Sequence, residues 1–250
     1  MENGHGRGGA DIIVPVHNRF HQSRRLLEGL YRHSDLPFHI YLIDNGSTDE
    51  TTDLAKIYTR SITVVRNRED TGWVAGVNQG IRLSESHNLV FMNNNVEVSQ
   101  GWLGSLLAFL DTHPKIAAVG PLSSNAEYLQ SVDWVREKMV PQIPHFLTSD
   151  LHERNRVLRY HFHRAGILVE GVLDFSCAAV KRRAVDAVGE LSATAAGECD
   201  NGDYCRRLRK SGYVLGVALD TYVVRQSEEA PQEIFSGDLR REVRRTAAAR

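Results

Sequence analysis

Three carboxylates, Glu198, Asp200 and Asp203, stand within six residues of the stretch GECDNGDYCRRLRKSGY. Carboxylates this close repel one another, which raises one pKa and produces a usable general base. They also precede a helical pattern, where the macrodipole favours each by roughly 0.3–1 kcal/mol. Helix capping alone therefore accounts for one or two of them. The cations that follow, Arg206, Arg207, Arg209 and Lys210, read either as a solvated helix face or as a field that steers an anionic ligand.

Two polar clusters suit ligand binding. In LIDNGSTDET, Asp44 ends an apolar run and could accept from a base N–H or a ribose hydroxyl, while Gly46 lets the backbone approach closely. A strand–turn–helix connection capped by Thr48 or Asp49 explains the same residues, and a cap and a pocket can share one loop. In LVFMNNNVEVSQGWL, Asn93, Asn94 and Asn95 interrupt what is otherwise a core strand. Asparagine competes with the ladder for backbone hydrogen bonds, so three in a row need a reason.

The elements that position these clusters follow from periodicity. DIIVPVHN is a short apolar run closed by a loop, and Leu26, Leu27, Leu30 and Tyr31 then recur at helical spacing. The plan repeats with a strand over 38–43, a helix from about Thr48–Thr51 carrying Leu54, Ile57 and Tyr58, a strand ITVVRN, a glycine-punctuated helix, and a strand HNLVFM. Such alternation predicts βαβ units and a mainly parallel sheet, with ligands beyond the carboxyl ends of the strands. Pro15–Arg19, Asp44–Asp49 and Asn93–Asn95 all fall there. Further on, a helix over 102–110 leads to a strand ending at Gly120-Pro121. A strand over 172–180 leads to a helix from about Arg182, and a last strand follows Gly212. Residues 122–165 show no clean period.

Composition excludes several classes. With 250 residues, 42% hydrophobic, 24% charged and a net charge of −1, the chain suits one large α/β domain and carries no global field for nucleic acid. Cys177, Cys199 and Cys205 lack zinc spacing and read as reduced thiols of a cytoplasmic protein, and MENGHGRGGA has no secretory pattern. NREDTGWVAGVNQGI contains neither phosphate-loop nor dinucleotide fingerprint. Its glycines 72, 76 and 80 give close packing and an open loop, and a lone Asn78 is a surface residue or a ligand contact.

Taken in order, VPVHNR, LIDNGSTDET, TGWVAGVNQGI, VFMNNNVEVSQGWL, SCAAVKRRAVDAVGEL and DNGDYCRRLRKSGY resemble glycosyltransferase family two, over about residues 10–225. Several moderate motifs in the right order are more specific than any one of them. The resemblance implies an α/β fold: a single GT-A (nucleotide-diphospho-sugar transferase) domain with a mainly parallel central sheet flanked by helices. Residues 1–10 are then a mobile N-terminus and 11–227 the transferase domain. That domain divides into a nucleotide-sugar half, 11–121, and an acceptor and catalytic half, 122–227, followed by a basic tail, 228–250.

By that resemblance Pro15 and Val16 line the base, Asn18 lies near base or ribose, Asp44 reads the base, and Gly72 and Asn78 close over it. Asn93, Asn94 and Asn95 hold the donor, with Asn93 and Asn95 at the two ends of the family's DXD metal motif. Asp200 and Asp203 match its acidic pair, one of them the general base. Two departures stand out. The DXD acids are asparagines, so Mg or Mn would be held weakly or not at all. Where the family often carries a histidine in its last-strand run, YVVRQS places Arg225, and a guanidinium there could replace the metal as the electrophile at the leaving diphosphate.

The expected function is inverting transfer of a sugar from a nucleotide-diphosphate sugar, UDP favoured and dTDP or GDP open, to a saccharide or other hydroxyl acceptor. Tyr128, Trp134, His145, Tyr160, His161 and His163 are candidates for the acceptor side, with core packing the plainer reading of each. The alternative is a catalytically weakened nucleotide-sugar-binding protein of the same fold. A nucleotidyltransferase would need a glycine-rich phosphate loop near the first strand, which VPVHNRFHQSRR lacks. In the tail, Ile234, Phe235, Leu239 and Val243 form a thin stripe that supports at most peripheral membrane contact.

Overall fold

The computed structural model describes residues 8–124, 128–138, 150–195, 198–226 and 243–246. Of the expectations above, residues 1–7 of the 1–10 N-terminus, His145, the Tyr128 side chain and most of the basic tail lie outside the described residues. The expected mobile N-terminus is corrected at Ala10, which is buried as the first residue of a strand.

The regular alternation of the first half becomes β1 (Ala10–Val16), α1 (Phe20–His33), β2 (Phe38–Asp44), α2 (Leu54–Ile57), β3 (Ile62–Arg66), α3 (Gly72–Leu83), β4 (Asn88–Met92), β5 (Val96–Val98) and α4 (Trp102–Asp111). The second half supplies β6 (Ile116–Ser123), α5 (Val132–Lys138), α6 (Leu151–Phe162), β7 (Gly166–Val169), β8 (Cys177–Lys181), α7 (Arg182–Val188), α8 (Asn201–Lys210), β9 (Val214–Arg225) and β10 (Val243–Thr246). The sheet order is β10-β7-β9-β6-β8-β4-β1-β2-β3, with β5 paired to β9. Strands β3, β2, β1 and β4 pair in parallel, as do β6 and β9, while β8 runs antiparallel between β4 and β6. The carboxyl ends of β1, β2, β4, β6 and β9 therefore share one side of the sheet with the amino end of β8.

Apolar side chains cover both faces. Leu26, Leu27 and Leu30 of α1 and the apolar stripe of α4 pack on one face. Val74, Val77 and Ile81 of α3, with Tyr204, Cys205 and Leu208 of α8, pack on the other. Helix α3 lies unusually close to β1. A Cβ at Gly80 would stand 2.3 Å from Ile13 Cγ2, and one at Gly76 would stand 2.7 Å from Pro15 Cβ. These glycines are packing surfaces, as their spacing suggested.

Four local expectations need correction. The helix expected from Thr48–Thr51 is a 3-10 turn, Glu50–Asp53, followed by the single turn of α2, and Ile57 is 53% exposed rather than core. The strand expected over 172–180 begins only at Cys177. Asp174 Oδ1 accepts from the Ser176 N–H at 2.8 Å, an Asx turn that takes the backbone out of the ladder before β8. Residues 122–165, without visible period, contain α6. Its buried stripe includes Asn155, which donates to Gln100 O at 3.0 Å and accepts from Tyr222 N at 3.0 Å. A polar residue at a core position hides the helical pattern. The basic tail, whose thin apolar stripe included Val243, places Val243–Thr246 as a strand antiparallel to β7.

Strand β9 is buried without interruption from Leu215 to Val223, and Asp220 lies within it, 2% exposed. Its Oδ2 accepts from Arg164 N at 2.9 Å, while burial pushes its carboxyl above the ordinary value. A raised carboxyl pKa in the folded state means the fold holds more protons than the unfolded chain, so this group lowers stability as pH rises through that window. Asp220→Asn keeps an acceptor for Arg164 N. We expect it to raise Tm at neutral pH, with the gain shrinking toward about pH 4, near the ordinary aspartate value of roughly 3.9. A constant Tm difference across that range in calorimetric scans would rule out the titration account.

Candidate functional site

The first wall of the site is the exit of β1 knitted to the exit of β2. Val16 O accepts from Asn45 N at 2.8 Å, and the His17 ring donates from Nδ1 to Asn45 O at 2.7 Å. Asn18 and Arg19 are both left-handed, φ 53° and 62°, which turns the chain abruptly over the sheet end. Asn18 N donates to Ser47 Oγ, and Asn18 Oδ1 accepts from Thr48 N, each at 2.8 Å. Asp49 caps the following turn and also accepts from Phe20 N at 3.0 Å. Burial opposes its charge, yet the bonds from Thr51 and Phe20 hold its carboxyl below the ordinary value. Asn18 thus braces the loop of Asp44 rather than standing free in it.

Asp44 itself is 3% exposed. Its Oδ1 accepts from Ser47 N at 2.9 Å, and its Oδ2 lies 3.8 Å from Arg66 Nε. Only Oδ2 is loosely engaged, so a ligand N–H would meet Asp44 there. Pro15 and Val16 are buried and offer backbone and ring surface. Gly72, at φ 80°, opens α3, and its carbonyl accepts from Asn45 Nδ2 at 3.1 Å. Asn78 has a different employment from the one the motif implied. Its Nδ2 donates to Leu191 O and its Oδ1 accepts from Leu191 N, both at 3.0 Å, which clamps the segment after α7 onto α3.

The three asparagines form the turn between β4 and β5, and each is anchored to a different element. Asn93 N donates to Ser176 O at 2.8 Å, ahead of β8. Asn94 Nδ2 donates to Ser23 Oγ of α1 at 3.0 Å. Asn95 Nδ2 donates to Gln226 O at 2.7 Å, and Gln226 N returns a bond to Asn95 O at 3.0 Å, at the exit of β9. The amide oxygens Asn93 Oδ1 and Asn95 Oδ1 are buried without a hydrogen-bond partner. Unsatisfied buried oxygens are costly, so two in one turn mark a place where a donor or cation fits. They suit a hard cation as neutral oxygen ligands. Among the described residues no group of three or more His, Cys, Asp or Glu could hold a metal.

Arg225 ends β9 opposite Val96, and its Nη1 donates to Asp174 Oδ2 at 2.7 Å. Sequence reasoning missed Asp174. The signal was an acid two residues ahead of a serine at the start of a buried run, DFSCAAV. Its loop is the junction of the site. Asp174 N donates to Gln130 Oε1 at 2.6 Å, Leu173 N to Cys205 Sγ at 3.2 Å, and Phe175 N to Asn201 Oδ1 at 3.4 Å. The last two bonds reach α8, the helix of the acidic pair.

The two acids of that pair have separate duties. Asp203 Oδ2 accepts from Arg207 Nε at 2.7 Å and its Oδ1 from Arg206 Nη1 at 2.9 Å. The Arg207 hydrogen bond above all holds the Asp203 carboxyl below its ordinary value. A carboxylate so paired is a poor base. Asp200 is the N-cap of α8, with Oδ1 accepting from Asp203 N at 2.8 Å and, among the described residues, no cation bonded to its carboxylate. Arg207 also donates to Val188 O and Glu190 O and lies 4.9 Å over the Tyr204 ring, so it is a packing hub and no steering charge. Cys199, beside Asp200, is pushed up to about 12 by burial and then by the nearby Asp174 carboxylate.

Among the described residues the candidate acceptor side chains differ in setting. Trp134 packs against the core, while Tyr160 is 83% exposed and meets His161 edge-on at 5.1 Å.

With this geometry in place, comparison with known proteins is informative. The family model for glycosyl transferase family 2 matches residues 11–189. A polypeptide N-acetylgalactosaminyltransferase 4 of Caenorhabditis elegans is 29% identical over 114 residues, 44% of this chain and 19% of that protein. A PGL/p-HBAD biosynthesis glycosyltransferase of Mycobacterium bovis is 27% identical over 106 residues, 41% of each chain. The aligned stretches therefore span well under half the length of those curated relatives. Among solved structures, a mannosyltransferase from Pyrobaculum calidifontis in complex with GDP-mannose and Mn2+ has TM-score 0.61 at 16% identity. That match covers 86% of this chain and 56% of that one. GalNAc-T7 with UDP, GalNAc and Mn2+ has TM-score 0.62 at 14% identity, covering 88% of this chain and 44% of that one. These likenesses establish the GT-A fold.

The clamp on Leu191 sets an expectation for Asn78. Asn78→Ala leaves two backbone groups without partners and should cost about 1–3 kcal/mol in urea unfolding, with nucleotide affinity within a few-fold of wild type. Loss of nucleotide binding with unchanged stability would return Asn78 to the ligand.

Proposed function

We infer function from one premise: the chain belongs to glycosyl transferase family 2. The best-supported reading is an enzyme that moves a sugar from a nucleoside-diphosphate sugar to an acceptor hydroxyl with inversion, using Asp200 as general base. UDP is the favoured nucleotide, with dTDP and GDP open. One observation carries the reading. Asp44, the asparagine turn and Arg225, joined through the Asp174 loop to the head of α8, are gathered at one end of the sheet, where open α/β sheets bind ligands.

The steps follow from the residues. The β1 and β2 exits and Asp44 Oδ2 receive the nucleoside. The asparagine turn and Arg225 receive the diphosphate, Arg225 as a planar fork for phosphate oxygens. Asp200, whose carboxylate is bonded to a backbone N–H rather than to a cation, takes the proton from the acceptor hydroxyl as that oxygen attacks the anomeric carbon. The bond from that carbon to the diphosphate breaks, and the leaving oxygen keeps the electron pair beside Arg225. Asp203, paired with Arg206 and Arg207, holds the helix start in register. A divalent cation, where bound, would be held by Asn93 Oδ1 and Asn95 Oδ1 and would supply positive charge to the leaving diphosphate.

The second reading, a nucleotide-sugar-binding protein with weakened catalysis, draws on the same turn, which has no carboxylate. Ligand thermal shifts and transfer assays separate the two. UDP, dTDP or GDP at about 100 times Kd adds roughly 2.7 kcal/mol of stability, and no shift with any of them, with or without Mn2+, sinks both readings. Asp200→Asn should lower sugar transfer about 10²–10⁴-fold with donor binding intact, whereas Asp203→Asn should lower Tm and reduce the rate less. Full transfer by Asp200→Asn would move the base elsewhere. Nucleotide binding with no transfer to any acceptor favours the second reading.

A further inference from the structure

We propose that Asp174 is a positioning residue that competes with the diphosphate for Arg225, so that the ion pair works as a release device for the leaving nucleotide. The inference rests on the transferase reading and adds a residue to its donor site. Three features support it. The guanidinium is the accessible partner, with 31% of the Arg225 side chain exposed against 11% of Asp174. The carboxylate is fixed: its second oxygen accepts from Ser176 N at 2.8 Å, so Asp174 cannot follow Arg225 onto a ligand. The turn beside them, Asn93–Asn95, carries no charged side chain, so the Arg225–Asp174 pair stands next to a neutral surface.

Sugar transfer changes the balance between the two acceptors. While the sugar is attached, one terminal phosphate oxygen is an ester; after transfer that oxygen is anionic, and the product binds Arg225 more strongly than the donor did. A site built from Arg225 alone would retain its product. A carboxylate within hydrogen-bond reach of the same guanidinium offers the arginine an alternative partner of like charge and geometry. Return of Arg225 to Asp174 lowers the positive potential under the diphosphate as the diphosphate leaves. The plain alternative is a strut between the β8 loop and β9, and the two differ in sign. Loss of a strut weakens or disorders the site, whereas loss of a competitor tightens it.

Isothermal calorimetry on the whole chain in EDTA tests this with UDP, GDP and dTDP, each compared with its own nucleoside. Asp174→Asn, which keeps an oxygen for Ser176 N, should tighten the best-bound diphosphate by about tenfold and leave the nucleoside unchanged. Asp174→Glu should restore an affinity close to wild type. Arg225→Lys, which keeps charge but loses the fork, should weaken the diphosphate by about tenfold without touching the nucleoside. An unchanged or weaker diphosphate affinity in Asp174→Asn overturns the competitor role, as does an equal change for nucleoside and diphosphate. Unchanged diphosphate binding by Arg225→Lys overturns it too, should Asp174→Asn fail to fold. Binding by wild type only when Mn2+ replaces the EDTA overturns the role given to Arg225. Binding of none of the three diphosphates in either condition fails the nucleotide-sugar reading itself, an outcome distinct from the others.

Discussion

The antiparallel insertion of β8 is the constraint on which the rest depends. It pairs with β4 through Met92↔Cys177 and with β6 through Val119↔Ala179, and so joins the parallel block β3-β2-β1-β4 to the block β6-β9. Because it runs against both neighbours, its amino end lies beside their carboxyl ends. The loop before it, Leu173–Ser176, therefore arrives in the middle of the site. From there it bonds outward to the asparagine turn, to α8 and to β9. A parallel strand in that place would have put a helix connection there instead.

Charge in the site is placed with economy. The donor side holds Asp44 in a tight turn beside Arg66, a neutral amide turn, and Arg225 paired with Asp174. Of the acids at the head of α8, Asp203 is paired with two arginines, while among the described residues the Asp200 carboxylate bonds a backbone N–H and no cation. Clustering three acids does not make three bases. Their partners decide which one can accept a proton, and those partners are set by helix spacing, since Arg206 and Arg207 lie three and four residues beyond Asp203.

How much of this was legible varied with the kind of interaction. Strands of the first half announce themselves because both faces are covered, which demands continuous apolar runs. The site side of the sheet followed from where those runs stop. Helix α6 was illegible because Asn155 occupies a core position for the sake of two backbone bonds. The late start of β8 and the role of Asp174 were illegible for a related reason: an Asx turn and an ion pair across 51 residues leave no period in the chain. Asn78 misled in the opposite way. Its place in a motif suggested a ligand, but the geometry gives both of its polar atoms to Leu191. Arg207 resembled a free surface charge until its four hydrogen-bond partners were in view.

The thiol of Cys199 has a consequence for handling this protein. With its pKa near 12, almost no thiolate exists at neutral pH, and Cys177 and Cys205 are likewise raised by burial. Nucleophilic sulfur chemistry needs the thiolate. Buried Cys177 and Cys205 and half-buried Cys199 are therefore expected to react slowly with alkylating agents while the chain is folded. Labelling of Cys177 or Cys205 reports breathing of the segments that bury them, while labelling of half-buried Cys199 reports changes in the segment presenting Asp200.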